Sequence, residues 1–319
     1  MSQPRLTRHP HGITAVDTEY VRPGLAAAHI IQESGRAAFV DVGTSHSVPY
    51  LLAALAELGV APEAVDYVFL THVHLDHAGG AGKLIEALPN AKAVLHPRGA
   101  PHLIEPQKLI AASKTVYGDA TYRQLYGEIV PLDAERVVLT KDLQRIALAG
   151  REFEFVHTPG HALHHHCIVD LRHSAIFTGD TFGLSYRELD TEKGAFIVPT
   201  TTPSQFDPDQ LIASIDRLLA YKPESMYLMH YSRVTDVTRL GESLKTQVRQ
   251  LAAIAQRNAT ASDMKAAILN EMKQLWFSLL RKHGCKASPS YLDELLETDL
   301  DLNAQGLVVW VERQKRAAV

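Results

Sequence analysis

Short apolar runs separated by turn residues predict strands over residues 12–20, 26–32 and 37–42, the last closing in "AAFVDVG". "SVPYLLAALAELGV" follows with leucines at helical spacing and Ser47 in the position of an N-cap. "YVFLT", residues 67–71, has the apolar continuity of a buried strand. "GGAGKLIEALP" then predicts a helix stopped by Pro89, and "AKAVLH" the next strand. Residues 97–128 read as mainly helical, an insertion placed to shape a substrate cleft. A second strand-rich block covers about 137–180 with "LQRIALAG", "EFEFVHT", "HCIVDL" and "SAIFTGD". A helix around "PDQLIASIDRLLA" and a strand "SMYLMH" follow. This alternation predicts an α/β fold.

From Arg239 the pattern changes. Leu244, Val248, Leu251 and Ala255 recur at helical spacing, as do Met264, Ile268, Met272, Leu275 and Leu279, and "NAQGLVVWVERQKR" predicts a closing helix. The expected division is therefore a catalytic domain over 1–238 and a helical extension over 239–319. The apolar stripe of that extension reads as core, lid or homodimer interface, and not as a cofactor box.

Composition narrows the classes. The 319 residues are 46% hydrophobic, enough for one large core with an appendage. A net charge of −4 offers no polyanion-binding surface, so nucleic acid is not expected as a partner. The two cysteines, Cys167 and Cys285, lie far apart with no CxxC pair, which fits a reducing cytoplasm. "MSQPRLTRHPHG" lacks the apolar segment of a signal peptide, and no apolar run reaches the ~20 residues of a membrane span. The expectation is a cytoplasmic protein with a small-molecule substrate.

The densest chemistry is "THVHLDHAGG", residues 71–80. In extended chain, residues two apart project to the same side, so His72 and His74 can reach one cation. Asp76 and His77 follow a bend and face a neighbouring point. Further N and O donors stand at later strand ends: His161 in "HTPGH", Asp180 in "FTGD" and His230 in "YLMH". Borderline divalent metals take that donor mixture.

These motifs, in this order, resemble the metallo-β-lactamase superfamily over roughly residues 12–235, in its glyoxalase II and lactonase branch. The resemblance implies an αββα sandwich of two mixed sheets, with metals at one edge. It also implies one ion held by His72, His74 and His161, and a second held by Asp76, His77 and His230, with Asp180 bridging. Asp41 in "FVDVG" matches the family's early aspartate that supports the ligand loop, and His165 a structural histidine beside the ligands. The implied cofactors are two divalent ions: zinc, with iron or manganese as alternatives. Asp76 is the candidate acceptor of the attacking water's proton.

Other histidines have plainer readings. For His164 and His166, surface placement or packing outweighs ligation, and His157 reads as a core histidine. His96, Arg98 and His102 read as surface or packing residues, and Cys167 as packed within a strand. His29, Tyr186 and Arg187 are candidate substrate contacts. The expected function is metal-dependent hydrolysis of an ester, thioester or lactone. The helical tail carries no recognisable glutathione-binding signature and resembles that of thioesterase-like members. The alternatives are a di-iron redox or oxygen-binding protein on the same fold, disfavoured by His74 where those relatives often carry glutamate, and a phosphodiesterase, disfavoured by the charge balance. A β-lactamase proper is disfavoured by the lack of an export signal.

Overall fold

The computed structural model describes residues 3–201 and 205–317. Two compact units emerge: residues 1–157, 164–179 and 224–233 form the first, and 158–163, 180–223 and 234–319 the second. The helical extension expected from residue 239 falls wholly in the second unit.

The first unit carries both sheets, up to the last residue of β13. Seven strands run in the order β1-β2-β3-β4-β5-β6-β7: Leu6–His9, Ile13–Asp17, Ala27–Glu33, Arg36–Val40, Val65–Phe69, Lys92–Leu95 and Val137–Leu139. The first four pair antiparallel and β4 to β7 pair parallel. The other sheet has six, from β8 (Gln144–Leu148) through β9 (Arg151–His157), β10 (His166–Asp170), β11 (Ala175–Gly179) and β12 (Ser225–Leu228) to β13 (Ser232–Val234). It too is mixed, because β11 and β12 are parallel whereas β8 to β11 alternate.

The sheets face each other through Ile31, Val40, Phe69 and Val94 on one side and Phe153, Phe155, Ile168 and Phe177 on the other. The opposite face of the seven-stranded sheet packs against α1 (Val48–Glu57) and α3 (Ala81–Ala87), which bury Leu51, Leu55, Leu84 and Ile85. Between them lies α2, Leu75–Ala78. Every residue of β10, β11 and β12 is buried, as strands covered on both faces require.

Residues 97–128 do fold as helices: α4 (Ala100–Ile104), α5 (Gln107–Tyr117) and α6 (Asp119–Tyr126). Ser47 stands at the N-terminus of α1, but its side chain makes no capping bond. Its hydroxyl donates to the Thr18 carbonyl at 2.8 Å and accepts from the Thr44 amide, so it ties the preceding loop to β2.

The second unit contains α7 (Pro208–Leu219), α8 (Val237–Arg257), α9 (Met264–His283) and α10 (Pro289–Ala317). Asp207 caps α7 by accepting from the Gln210 amide, and Asp263 caps α9 through Ala266. In α8 the predicted stripe is buried: Leu244, Val248, Leu251 and Ala255. In α9 the predicted stripe holds at Ile268 and Met272 and is displaced by one position beyond them. Ile268, Met272, Trp276 and Leu280 are buried, whereas Met264, Leu275 and Leu279 are only partly so. Both lines suit a 3.6-residue period, and packing selects the one that buries the Trp276 ring. The final helix begins at Pro289, well upstream of the stretch marked by pattern. No helix among the described residues is long and apolar enough to cross a membrane.

Candidate metal centre

The strand β5 ends at Phe69 and releases the chain into the loop that carries His72 and His74 before α2 begins at Leu75. Asp76 and His77 occupy the first turn of α2, so a loop and a helix start supply four donors within six residues. His230 follows β12. The ligating atoms of Asp76, His77 and His230 lie within 4.8 Å of one another. Asp76 Oδ2 is 3.4 Å from His230 Nε2 and 3.8 Å from His77 Nε2, while His72 Nε2 is 2.9 Å from His74 Nδ1. In the second unit, His161 Nε2 stands 3.4 Å from Asp180 Oδ2.

The partners of the other ring nitrogens decide what these imidazoles can do. His77 Nδ1 donates to Asp41 Oδ2 at 2.9 Å, and His230 Nδ1 to the Leu25 carbonyl at 2.9 Å. The Thr71 hydroxyl donates to Asp41 Oδ2 at 2.8 Å, so towards His72 Nδ1, 3.2 Å away, it acts as an acceptor. The same logic holds in the second unit. Thr200 Oγ1 donates to the Asp180 carbonyl at 3.1 Å and accepts from His161 Nδ1 at 3.0 Å. Four histidines thus carry their proton on Nδ1 and turn the Nε2 lone pair towards a carboxylate or a second imidazole. That donor set, with its orientation imposed from behind, fits a divalent cation.

Asp41 is the hub of the first unit's donors. It is buried and takes a left-handed backbone conformation, φ 51°, uncommon for a residue with a side chain. Its carboxylate accepts from the Thr71 amide at 2.8 Å, the Thr71 hydroxyl and His77 Nδ1. These bonds hold the strained residue in place and orient two candidate ligands at once. Gly179, next to Asp180 in the sequence, admits no side chain: a Cβ there would lie 2.5 Å from Thr71 Oγ1 and 2.7 Å from His165 Nε2.

The neighbouring histidines and Cys167 pack around these donors or lie beside them. His164 lies in a turn, His165 links it to the strand, and His166 opens β10. None lies at the surface. His165 packs beside His72 with ring centroids 4.8 Å apart. His166 Nε2 donates to the Leu70 carbonyl at 2.8 Å, and burial pushes its pKa down to about 3. His164 is likewise lowered to about 3 by burial, with help from the neighbouring His74. His157 is half-buried at the end of β9 and lies tilted against His96, ring centroids 4.2 Å apart. His96 is buried, with a pKa lowered to about 4 by desolvation and by His157, while Arg98 and His102 are exposed. Cys167 is buried in β10.

The three candidate substrate contacts are engaged elsewhere. His29 is buried edge-on against the rings of Phe177 and Tyr227, because β3 turns it into the space between the sheets. The hydroxyl of Tyr186 donates to Asp299 on α10 at 3.1 Å, and Tyr186 is itself buried. Arg187 donates to the Ser185 carbonyl and pairs with Asp190 at 3.3 Å. Thr71 and Thr200, which set the proton of His72 and of His161, escaped sequence reasoning. Thr71 adjoins the histidine motif, but Thr200 lies in "VPTTT", which carries no signal of its own.

The fold and these donors define a metal-binding α/β sandwich, and the family model of the metallo-beta-lactamase superfamily matches residues 21–230. The chain belongs to that superfamily. A metallo-beta-lactamase fold-containing protein of Sulfurisphaera tokodaii is 27% identical over 224 residues, 69% of this chain and 77% of that protein. A hydroxyacylglutathione hydrolase of Salmonella paratyphi A is 31% identical over 152 residues, 48% of this chain and 45% of the hydrolase. Among solved structures, a metallo-beta-lactamase family protein of Thermus thermophilus has a TM-score of 0.63 at 19% identity, covering 98% of this chain and 92% of its own. The fold is also shared with a chemotaxis sensor solved as a peroxy diiron species, at a TM-score of 0.52 and 13% identity, covering 76% of this chain and 94% of that one.

Proposed function

We propose that this protein is a dinuclear metal-dependent hydrolase acting on an ester, thioester or lactone, with the ligands that the four motifs imply and zinc as the metal. The observation that carries the reading is the set of imidazoles whose Nδ1 protons are committed to Asp41, Leu25, Thr71 and Thr200. Bound divalent cations would supply an acidified water and a polarised scissile carbonyl.

The chain's own residues do the rest. The Nδ1 contacts fix the tautomer and the aim of each ring before a cation binds. Asp76 is half-buried, open enough to accept the proton of an attacking water. The thioester option is supported by the partial likeness to hydroxyacylglutathione hydrolase.

Metal analysis of the purified protein, followed by a panel of lactones, thioesters and phosphodiesters, tests the reading. The expected outcome is a pair of divalent ions per chain and turnover of a carboxylic ester class. Stoichiometric redox-active iron with an oxygen-dependent spectrum would overturn it in favour of the di-iron reading. Retention of both ions and full turnover by Asp180→Asn would overturn the ligand assignment.

A further inference from the structure

We propose that Asn303, on the C-terminal helix α10, is a positioning residue for His161, acting through Thr201 and Thr200. The inference rests on the reading of His161 as a metal ligand.

Along the buried side of α10, Leu292, Leu296, Leu300, Ala304, Leu307 and Trp310 are apolar, and Asn303 is the one polar side chain among its buried residues. Burying an amide costs free energy unless its groups are bonded, so its partners indicate its purpose. The Asn303 side-chain oxygen accepts from both the Thr201 amide and, at 2.7 Å, the Thr201 hydroxyl. The same hydroxyl lies 3.0 Å from the Asn303 carbonyl, and Asn303 Nδ2 donates to the Asp299 carbonyl at 2.7 Å. Thr201 is fully buried. One amide therefore clamps the backbone and the side chain of a single residue.

The residue before it is Thr200, whose hydroxyl donates to the Asp180 carbonyl and accepts from His161 Nδ1. A threonine hydroxyl has one proton. With that proton spent on Asp180, only the tautomer of His161 with Nδ1–H and an Nε2 lone pair satisfies the contact. Fixing the backbone at Thr201 fixes where the Thr200 hydroxyl sits, and so fixes the orientation and tautomer of His161. Asp299, one turn before Asn303, holds Tyr186 through its hydroxyl and ties a second point of the 180–201 segment to the same helix.

The test is cobalt(II) binding to the full chain, read by competition with a chelator and by the visible spectrum of each bound ion. His161→Ala checks the underlying reading: if it keeps both affinities, His161 is no ligand and that assignment fails by itself. Asn303→Leu removes the clamp at similar volume. The expected result is at least ~10-fold weaker binding of one ion with the other unchanged, the scale seen when groups behind metal ligands are lost. Leu307→Ala destabilises α10 but leaves the amide in place, and should keep both affinities. Thr200→Val repeats the experiment at the next link should Asn303→Leu fail to fold, and Thr200→Ser should restore binding. Wild-type affinity in whichever of Asn303→Leu and Thr200→Val folds, or equal weakening in Leu307→Ala, overturns the proposal.

Discussion

Replacing His29 should flatten the acid side of the stability curve. Desolvation, reinforced by the charge of His9, pushes the His29 pKa from 6.5 down to about 3. In the unfolded chain the imidazole returns to its ordinary value near 6.5. Between those two values the unfolded state binds a proton that the folded state refuses, so stability rises with pH across the window and is lost as pH falls through it. At pH 5 the loss from this one group is about 2 kcal/mol, and between pH 5 and 6 it changes at roughly 1 kcal/mol per pH unit. His166, lowered to about 3 by the same cause, contributes a similar amount. Together they remove about 4 kcal/mol by pH 5, against the 5–15 kcal/mol typical of a folded domain. Urea unfolding followed by far-ultraviolet circular dichroism, at steps from pH 5 to 7, measures this directly for wild type and His29→Gln. The variant has its own offset at neutral pH, but its slope between pH 5 and 6 should be shallower by that one-proton amount. An unchanged slope would show that His29 does not resist protonation and would refute the argument.

Three further outcomes are expected. Asp41→Ala should weaken metal binding roughly 10- to 100-fold by releasing Thr71 and His77, as chelator competition would show; tight binding in the variant would remove Asp41 from its role. Gly160→Ala should cost about 3 kcal/mol and lower the melting temperature by several degrees, because φ is +130° and the new Cβ would lie 2.3 Å from the backbone of Leu211 in α7. Trp276→Ala should destabilise by about 3–5 kcal/mol in chemical denaturation, since the ring is fully buried, whereas Leu275→Ala should cost much less.

The donors within 71–80 were legible because their chemistry is local. Residues two apart in extended chain share a side, and no core or surface role calls for three imidazoles and a carboxylate in six positions. The strands were legible as apolar runs and the insertion as a helical one, since periodicity is a property of neighbours along the chain. His29 looked no different from a cleft residue, because the same alternation that places it on β3 leaves open which side faces Phe177 and Tyr227. The line through α9 could run by Leu275 or by Trp276, and only packing chose. Neither Thr200 nor Asn303 announces itself, for each acts through a partner distant in sequence.

The amino-acid order alone determined the elements, the donor types and the family to which they point, because these follow from short-range spacing and from the ligand chemistry of the side chains. Tertiary structure decided which nitrogen of each histidine carries the proton, which imidazoles stay neutral through burial, and which candidate contacts are engaged elsewhere. Those properties depend on hydrogen bonds and desolvation from segments far apart in the chain, which come together only when it folds.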